Sequence, residues 1–165
     1  MTNSLNVVPS AENVETGVRN IEGIADGLKD VLADTHRLTL KTQAYHWNVT
    51  GPLFYSVHNL TETQYEDMFE AADVLAERVR ALGQLAPFGL SEIVERSRIR
   101  DFAGTPSAEE MIADLADDHE AVAHRLHALA ELAAERKDIV TEDLATERSS
   151  FHEQAVWMLR ALIAS

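Results

Sequence analysis

Apolar residues recur along most of the chain at intervals of three and four positions, the spacing that places them on one face of an α-helix. Four long segments show this pattern, and no convincing run of alternating apolar and polar residues predicts a β-strand. We predict the first helix from about residue 11 to residue 46, ending before a Gly51–Pro52 break. The second is predicted from about residue 55 to residue 82, directly before Gly83.

The helical pattern resumes after a long connection over residues 84–107, which itself contains a short helical stretch at residues 91–95. Ser107 and Glu110 match the capping box, in which each side chain accepts a hydrogen bond from the other residue's backbone N–H. A third long helix should therefore begin there and reach about Glu135.

The fourth long helix is predicted from near Thr141 to the end of the chain. Together these elements predict an all-α fold, a four-helix bundle with a short extra helix in the connection between the second and third long helices. Neither an internal repeat nor a linker separates a second domain, so residues 1–165 are predicted to form one domain. Residues 1–10 are predicted to be a flexible N-terminal segment.

Composition narrows the classes of function. The chain has no cysteine, which excludes disulfides, zinc–thiolate sites and iron–sulfur clusters. Fourteen basic residues stand against 28 acidic ones, and the net charge of −14 repels nucleic acid and attracts cations. Acidity that serves only solubility is the alternative interpretation. The absence of a signal peptide and of a membrane-length apolar stretch predicts a soluble, cytoplasmic protein with no membrane partner.

Metal-ligand chemistry is concentrated in the second predicted helix. It contains two pairs of ligand-type residues at the i, i+4 spacing that brings side chains together: His58 with Glu62, hereafter the His–Glu pair, and Asp73 with Glu77, hereafter the Asp–Glu pair. His46 lies at the end of the preceding helix. Imidazole and carboxylate together are typical ligands of first-row metals such as iron, manganese and zinc.

The two pairs are too far apart to bind one ion within one chain. Their centres are 15 residues apart, or roughly 22 Å along a helix, and only about 60° apart around its axis. If the helix packs antiparallel against its own copy, the two-fold axis falls between Asp67 and Met68. The His–Glu pair of one subunit then lies opposite the Asp–Glu pair of the other, with Tyr65 and Phe69 supplying an apolar contact at the axis.

Other interpretations of these residues remain open. A single histidine is more often a structural residue than a ligand, and the Asp–Glu pair could be a solvated helix face, because Arg78 and Arg80 follow it. A conventional ferritin uses Glu-x-x-His motifs within one subunit, and this chain contains none. A shared site between subunits is the hypothesis that remains, although the same ligands could also activate water in a metal-dependent hydrolase.

The motifs themselves resemble those of the Dps family of mini-ferritins, within the ferritin-like superfamily. The segments that carry the resemblance are His46-Trp47-Asn48-x-x-Gly51, Phe54-x-x-x-His58, Asp73-x-x-x-Glu77-Arg78, Asp118-His119-Glu120 and His152-Glu153-x-x-x-Trp157-Met158-Leu159-Arg160. This similarity extends from the first helix to nearly the end of the chain. It implies a ferritin-like bundle that assembles into a hollow dodecamer.

The resemblance also implies which residues act. The ligands of a ferroxidase site would be His46, His58 and Glu62 from one subunit, with Asp73 and Glu77 from its two-fold mate. Many family members have aspartate where Glu62 stands here.

Three further implications follow from the resemblance. Trp47 would lie near the site, either as a trap for oxidising equivalents or as a packing residue. Asp118 matches a position at the iron-entry pores, and Glu110 and Asp114 extend it into an acidic stripe that any solvated helix could also show. The implied activity is oxidation of iron(II) with hydrogen peroxide and storage of the iron(III) product, protecting DNA and the cell from oxidative stress.

DNA binding, the activity that named the family, is the competing hypothesis and would make the protein nucleoid-associated. We expect it to be weak or absent, because the first 28 residues contain one basic residue, Arg19, and no lysine. The strongest candidate for a basic patch is the cluster of Arg96, Arg98 and Arg100 in the connection.

Overall fold

The computed structural model describes residues 14–164, which form five α-helices and no β-strand. Helix α1 spans Ile21–Asn48, α2 Phe54–Ala81, α3 Leu90–Arg96, α4 Ala108–Glu135 and α5 Ile139–Leu162. The helices pack mainly as two pairs, α1 with α2 and α4 with α5, and α1 joins the pairs by packing on α4. The predicted all-α four-helix bundle, with α3 as the short extra helix, is confirmed.

The predicted start of the first helix is wrong. Helix α1 begins at Ile21 rather than near residue 11, and residues 14–20 are not helical. Gly17 and Asn20 have positive φ values of 81° and 54°, a left-handed backbone that an α-helix cannot contain. Val18 nevertheless packs against the core from this non-helical segment. The predicted flexible segment, residues 1–10, lies outside the described residues.

Polar caps determine where the last two long helices begin. The Ser107 capping box is present: the Glu110 N–H donates to Ser107 Oγ over 3.2 Å, and the Ser107 N–H donates to Glu110 Oε2 over 2.7 Å. Helix α5 begins two residues before the predicted Thr141, because the buried side chain of Asp138 accepts the Thr141 N–H over 3.1 Å. Each cap satisfies an N–H group that the first turn of a helix leaves free.

Large aliphatic side chains from all four long helices fill the core. The fully buried ones include Leu28, Leu38, Leu75, Leu115, Leu126 and Leu159. Burial of a side chain of this size stabilises the fold by about 1.5–3 kcal/mol. Among the described residues, none of the helices is long and apolar enough to cross a membrane.

One buried carboxylate ties the connection to the bundle. Asp34 on α1 is 1% exposed, and its side chain accepts hydrogen bonds from Ser97 Oγ (2.9 Å), the Arg98 backbone N–H (2.7 Å) and the Arg125 guanidinium (2.7 Å). A charge-assisted network of this kind is strong when all members are satisfied. It therefore attaches the segment after α3 to both α1 and α4.

A buried pair of histidines joins α4 to α5. The Nδ1 atoms of His119 and His152 are 2.8 Å apart, so one imidazole donates its proton and the other accepts it. Burial, followed by the positive charge of Arg148, lowers the pKa of His119 to about 3. Burial, His119 and Arg148 also lower the pKa of His152 well below its ordinary value of 6.5. Both rings are therefore neutral in the folded protein at neutral pH.

This pair predicts a loss of stability in mild acid. The unfolded chain takes up protons on both histidines as the pH falls through 6.5, whereas the folded chain does not. Each histidine should therefore reduce the free energy of unfolding by up to about 1.4 kcal/mol per pH unit below that value. His152→Gln should reduce the slope of the free energy of unfolding against pH, as measured by urea unfolding of the assembled protein from pH 7 to pH 5. His124→Gln, which removes an exposed histidine from α4, is the matched control. An unchanged slope in His152→Gln would contradict the assignment.

Candidate metal centre

A tight turn between α1 and α2 brings two predicted ligands together. His46 lies in the last turn of α1 and His58 in the second turn of α2, and the connection between the helices passes through Gly51, whose φ is 91°. The two imidazole rings stack with their centroids 3.7 Å apart and an angle of 17° between their planes. The structure thus brings together two of the five residues predicted as ligands.

Reciprocal hydrogen bonds hold the two rings. The Nδ1–H of His46 donates to the backbone carbonyl of His58 over 2.8 Å, and the Nδ1–H of His58 donates to the carbonyl of His46 over 3.0 Å. A carbonyl oxygen only accepts, so each Nδ1 must carry the proton, and the lone pair of each ring is on Nε2. Metal-binding histidines are commonly held in this way through the second ring nitrogen.

The predicted carboxylates lie on the exposed surface of α2. Glu62 follows His58 by one turn, and both members of the Asp–Glu pair are exposed further along the same helix. Because α2 is continuous, the two pairs remain roughly 22 Å apart. Within residues 14–164, no three histidine or acidic side chains lie close enough together to hold a metal ion. A single subunit therefore presents two separated groups of ligand-type side chains.

Apolar side chains occupy the surface between the two groups. Phe69 is 71% exposed and Tyr65 is half-buried, and Val74, within the Asp–Glu pair itself, is 49% exposed. Exposed apolar groups of this size are typical of an interaction surface. Tyr65 and Phe69 are the residues predicted to form an apolar contact at a two-fold axis, and that contact stays a prediction; Met68, beside the predicted axis, is fully buried in the core.

The arginines that follow the Asp–Glu pair do not form a solvated ion-pair face with it. Arg78 turns into the bundle, where its guanidinium donates to Asp138 over 2.6 Å and to Thr141 over 2.9 Å. Arg80 donates to the backbone carbonyl of Gln84. Burial opposes the charged form of Asp138, but the hydrogen bonds from Arg78 and Thr141 outweigh it and lower its pKa. The nearest arginine is therefore already engaged, and the Asp–Glu pair is available to bind a cation.

Two aromatic contacts complete the histidine site. Phe54 stacks on the outer face of His58 with centroids 5.0 Å apart, and Tyr65 meets His46 edge-on at 5.2 Å. The sequence motif contained Phe54, and its i, i+4 spacing from His58 was the signal for this contact. Trp47, predicted near the site, is 66% exposed beside His46 in the chain.

The predicted pore carboxylates are engaged within the subunit. Lys41 Nζ lies 2.6 Å from Asp114 Oδ2 and 2.5 Å from Asp118 Oδ2, and the Tyr45 hydroxyl also donates to Asp114. Burial raises the pKa of Asp118 despite the neighbouring Lys41 ammonium. Glu110 forms part of the α4 capping box. The acidic stripe thus carries less net charge than its sequence suggests, and its role at a pore stays a prediction.

The positive charge of the predicted basic patch is partly neutralised by neighbouring carboxylates. Arg96 forms ion pairs with Asp30 over 3.1 Å and Glu92 over 3.2 Å, and a side-chain nitrogen of Arg100 donates to the Ser97 carbonyl. Arg98 is exposed. The cluster is therefore a weaker anion-binding surface than three adjacent arginines would be.

Comparison with known proteins connects this geometry to a family. The family model described as a ferritin-like domain matches residues 25–165. The chain is 37% identical over 144 residues to a low temperature-induced protein of Nostoc sp., covering 86% of this chain and 80% of that protein. It is 30% identical over 138 residues to the DNA protection during starvation protein of Helicobacter pylori, covering 83% and 96%.

A solved structure agrees with these relatives. The crystal structure of the Dps protein from Vibrio cholerae O1, described as a member of a broad superfamily of ferritin-like diiron-carboxylate proteins, has a TM-score of 0.82. It is 27% identical and covers 87% of this chain and 90% of that one. The family model includes α2 and every predicted ligand position.

Proposed function

The chain belongs to the Dps family of the ferritin-like superfamily, and on this premise we propose that it is a ferroxidase and iron-storage protein. It binds iron(II), oxidises it with hydrogen peroxide, and retains the iron(III) product inside a shell of identical subunits. The observation that carries the proposal is the His46–His58 pair, whose Nδ1–H groups are both engaged so that both Nε2 atoms are free to bind iron.

The proposed site is shared between two subunits. His46, His58 and Glu62 of one subunit bind iron together with the Asp–Glu pair of its two-fold mate. Support comes from the exposed carboxylates of both groups on α2, from the separation of the two groups along a continuous helix, and from the exposed apolar side chain of Phe69 between them. An antiparallel α2–α2 contact satisfies all three features at once, because it buries the apolar surface and pairs each group with its complement.

The ligand set favours oxidation. Glu62, Asp73 and Glu77 supply oxygen ligands and negative charge, which stabilise iron(III) more than iron(II). Each iron(II) ion gives up one electron and hydrogen peroxide accepts two. Two iron(II) ions and two protons therefore reduce one hydrogen peroxide to two water molecules without releasing a hydroxyl radical. Consumption of both reagents would protect DNA and the cell from oxidative damage.

Assembly follows from the shared site. The site requires at least a dimer, and we propose the closed dodecamer that family resemblance implies. Asp114 and Asp118 would line the pores through which iron(II) enters, with their charge moderated by Lys41. The acidic surface of the chain, with its net charge of −14, would attract the cation.

Removal of the Asp–Glu pair should abolish fast oxidation. We expect Asp73→Ala combined with Glu77→Ala to lower the initial rate of peroxide-dependent iron oxidation on the order of 100-fold, because the iron loses its oxygen ligands from the second subunit. Stopped-flow absorbance measures the rate, and light scattering confirms that the shell is intact. Glu131→Ala combined with Glu135→Ala is the matched control, since it removes two exposed glutamates at the same spacing on α4. Wild-type kinetics in an intact Asp73/Glu77 double variant would refute the assignment.

Mixed shells test whether the site is shared. A subunit lacking His46 and His58 and a subunit lacking the Asp–Glu pair are each inactive, but a mixed dimer contains one complete site. Random co-assembly of equal amounts should therefore recover about a quarter of the wild-type sites. Mixed shells that stay as inactive as either parent would exclude a shared site, as would a stable, fully active monomer.

Two alternatives are distinguished by simple assays. A hydrolase using the same ligands would cleave an amide substrate in the presence of a divalent metal and without peroxide. A DNA-compacting protein would need a basic surface, and the positive charge of the strongest candidate cluster is reduced by the ion pairs of Arg96. The protection named for the Helicobacter pylori relative does not require binding, because removal of iron and peroxide also protects DNA.

We therefore expect weak binding to duplex DNA near neutral pH. Affinity for DNA comes mainly from lysine and arginine side chains that neutralise phosphates, and repulsion from a subunit charge of −14 opposes it. A gel-shift titration at physiological salt without divalent metal should leave the DNA free at protein concentrations up to about 1 μM. A retarded complex below that concentration would overturn this expectation, and its loss in Arg98→Glu would assign the binding to the connection.

A further inference from the structure

The imidazole of His58 lies between two other rings. One face stacks on His46 at a centroid distance of 3.7 Å, and the opposite face is covered by Phe54 at 5.0 Å and 27°. His46 is 6% exposed and is held from the side by the edge of Tyr65, whereas His58 is only half-buried. Of the two ligands, His58 is therefore the one whose position depends on a surface contact.

Phe54 is placed for this contact by the local backbone. It is the first residue of α2, directly after the turn at Gly51, and it precedes His58 by four residues on the same face. Its ring is 44% exposed, so it contributes less to the core than a buried phenylalanine would. Most of the contact that its ring makes with aromatic neighbours is the stack on His58.

We propose that Phe54 is a positioning residue of the iron site. This inference rests on the proposed function and adds a role for a side chain that binds no iron itself. The ring closes the solvent side of His58, so that the imidazole cannot rotate away from the His46 carbonyl and its Nδ1–H stays engaged. Nε2 then points to the iron position before the metal arrives. Without the ring, water competes for Nδ1–H, and the free histidine populates other rotamers and the Nε2–H tautomer, in which Nε2 has no lone pair to offer a metal.

The expected effect is on metal affinity rather than on the chemical step. Loss of one aromatic stack should weaken binding about two- to tenfold, the range that measured aromatic pairs support. Phe54→Leu should therefore raise the iron(II) concentration that gives half-maximal oxidation by that factor, while the rate at saturating iron(II) stays within about twofold of wild type. Phe54→Tyr keeps the ring and should restore wild-type behaviour.

Two measurements on the assembled, oxygen-free shell do not depend on iron oxidation. The first is a cobalt(II) titration followed by visible absorbance, in which Phe54→Leu should bind the metal two- to tenfold more weakly than wild type. The second is nitrogen-15 NMR of the histidine rings in metal-free protein, in which Phe54→Leu should increase the Nε2–H tautomer of His58. Phe88→Leu, which removes an exposed phenylalanine from the connection, is the matched control and should change neither measurement.

The outcomes separate this inference from the proposed function. Wild-type cobalt affinity and an unchanged His58 tautomer in Phe54→Leu would overturn the role of Phe54, as would a Phe54→Tyr variant no better than Phe54→Leu. Phe54→Met serves the same test if Phe54→Leu does not assemble. Absence of iron oxidation in wild type would refute the proposed ferroxidase instead, and it would leave the tautomer result standing.

Discussion

Helix α2 is continuous over 28 residues, and this continuity is the constraint on which the proposed site depends. A helix rises about 1.5 Å per residue, so ligands 15 residues apart cannot converge on one ion however their side chains rotate. The chain must therefore either leave the two groups unused or complete each with a second copy. The exposed Phe69 between the groups favours the second possibility, because solvation of such an apolar surface is unfavourable.

Two ion pairs attach α2 to α5 without involving the predicted ligands. Arg148 reaches from α5 to Asp67 over 2.6 Å, and Arg78 reaches Asp138 at the start of α5. Both contacts anchor α2 to the same neighbour at points 11 residues apart along the helix. Arg78, the arginine that follows the Asp–Glu pair, is thereby engaged with Asp138 rather than with the exposed carboxylates.

Hydrogen bonds to the backbone, rather than ion pairs, hold the His46–His58 pair. The reciprocal bonds between His46 and His58 join side chains to backbone carbonyls across the α1–α2 turn, so the position of each ring depends on the other helix. Burial protects the first ring, and Phe54 covers the second. Preorganisation of this kind reduces the ordering that a metal must impose, which is the physical basis for the role proposed for Phe54.

The sequence by itself determined the four long helices, the short extra helix, the Ser107 cap and the spacing of the two ligand pairs, because periodicity and capping act between residues a few positions apart. It did not determine the start of α1, because the backbone before it is left-handed at Gly17 and Asn20, and Val18 packs against the core from this non-helical segment. Only the tertiary structure decided which charged side chains have an ion-pair partner. Lys41 pairs with Asp114 and Asp118, more than 70 residues away, and Arg78 pairs with Asp138, 60 residues away. The tautomer of His46 and His58 was likewise decided by contacts between two helices, since a side chain's partner across a bundle depends on packing that no local pattern specifies.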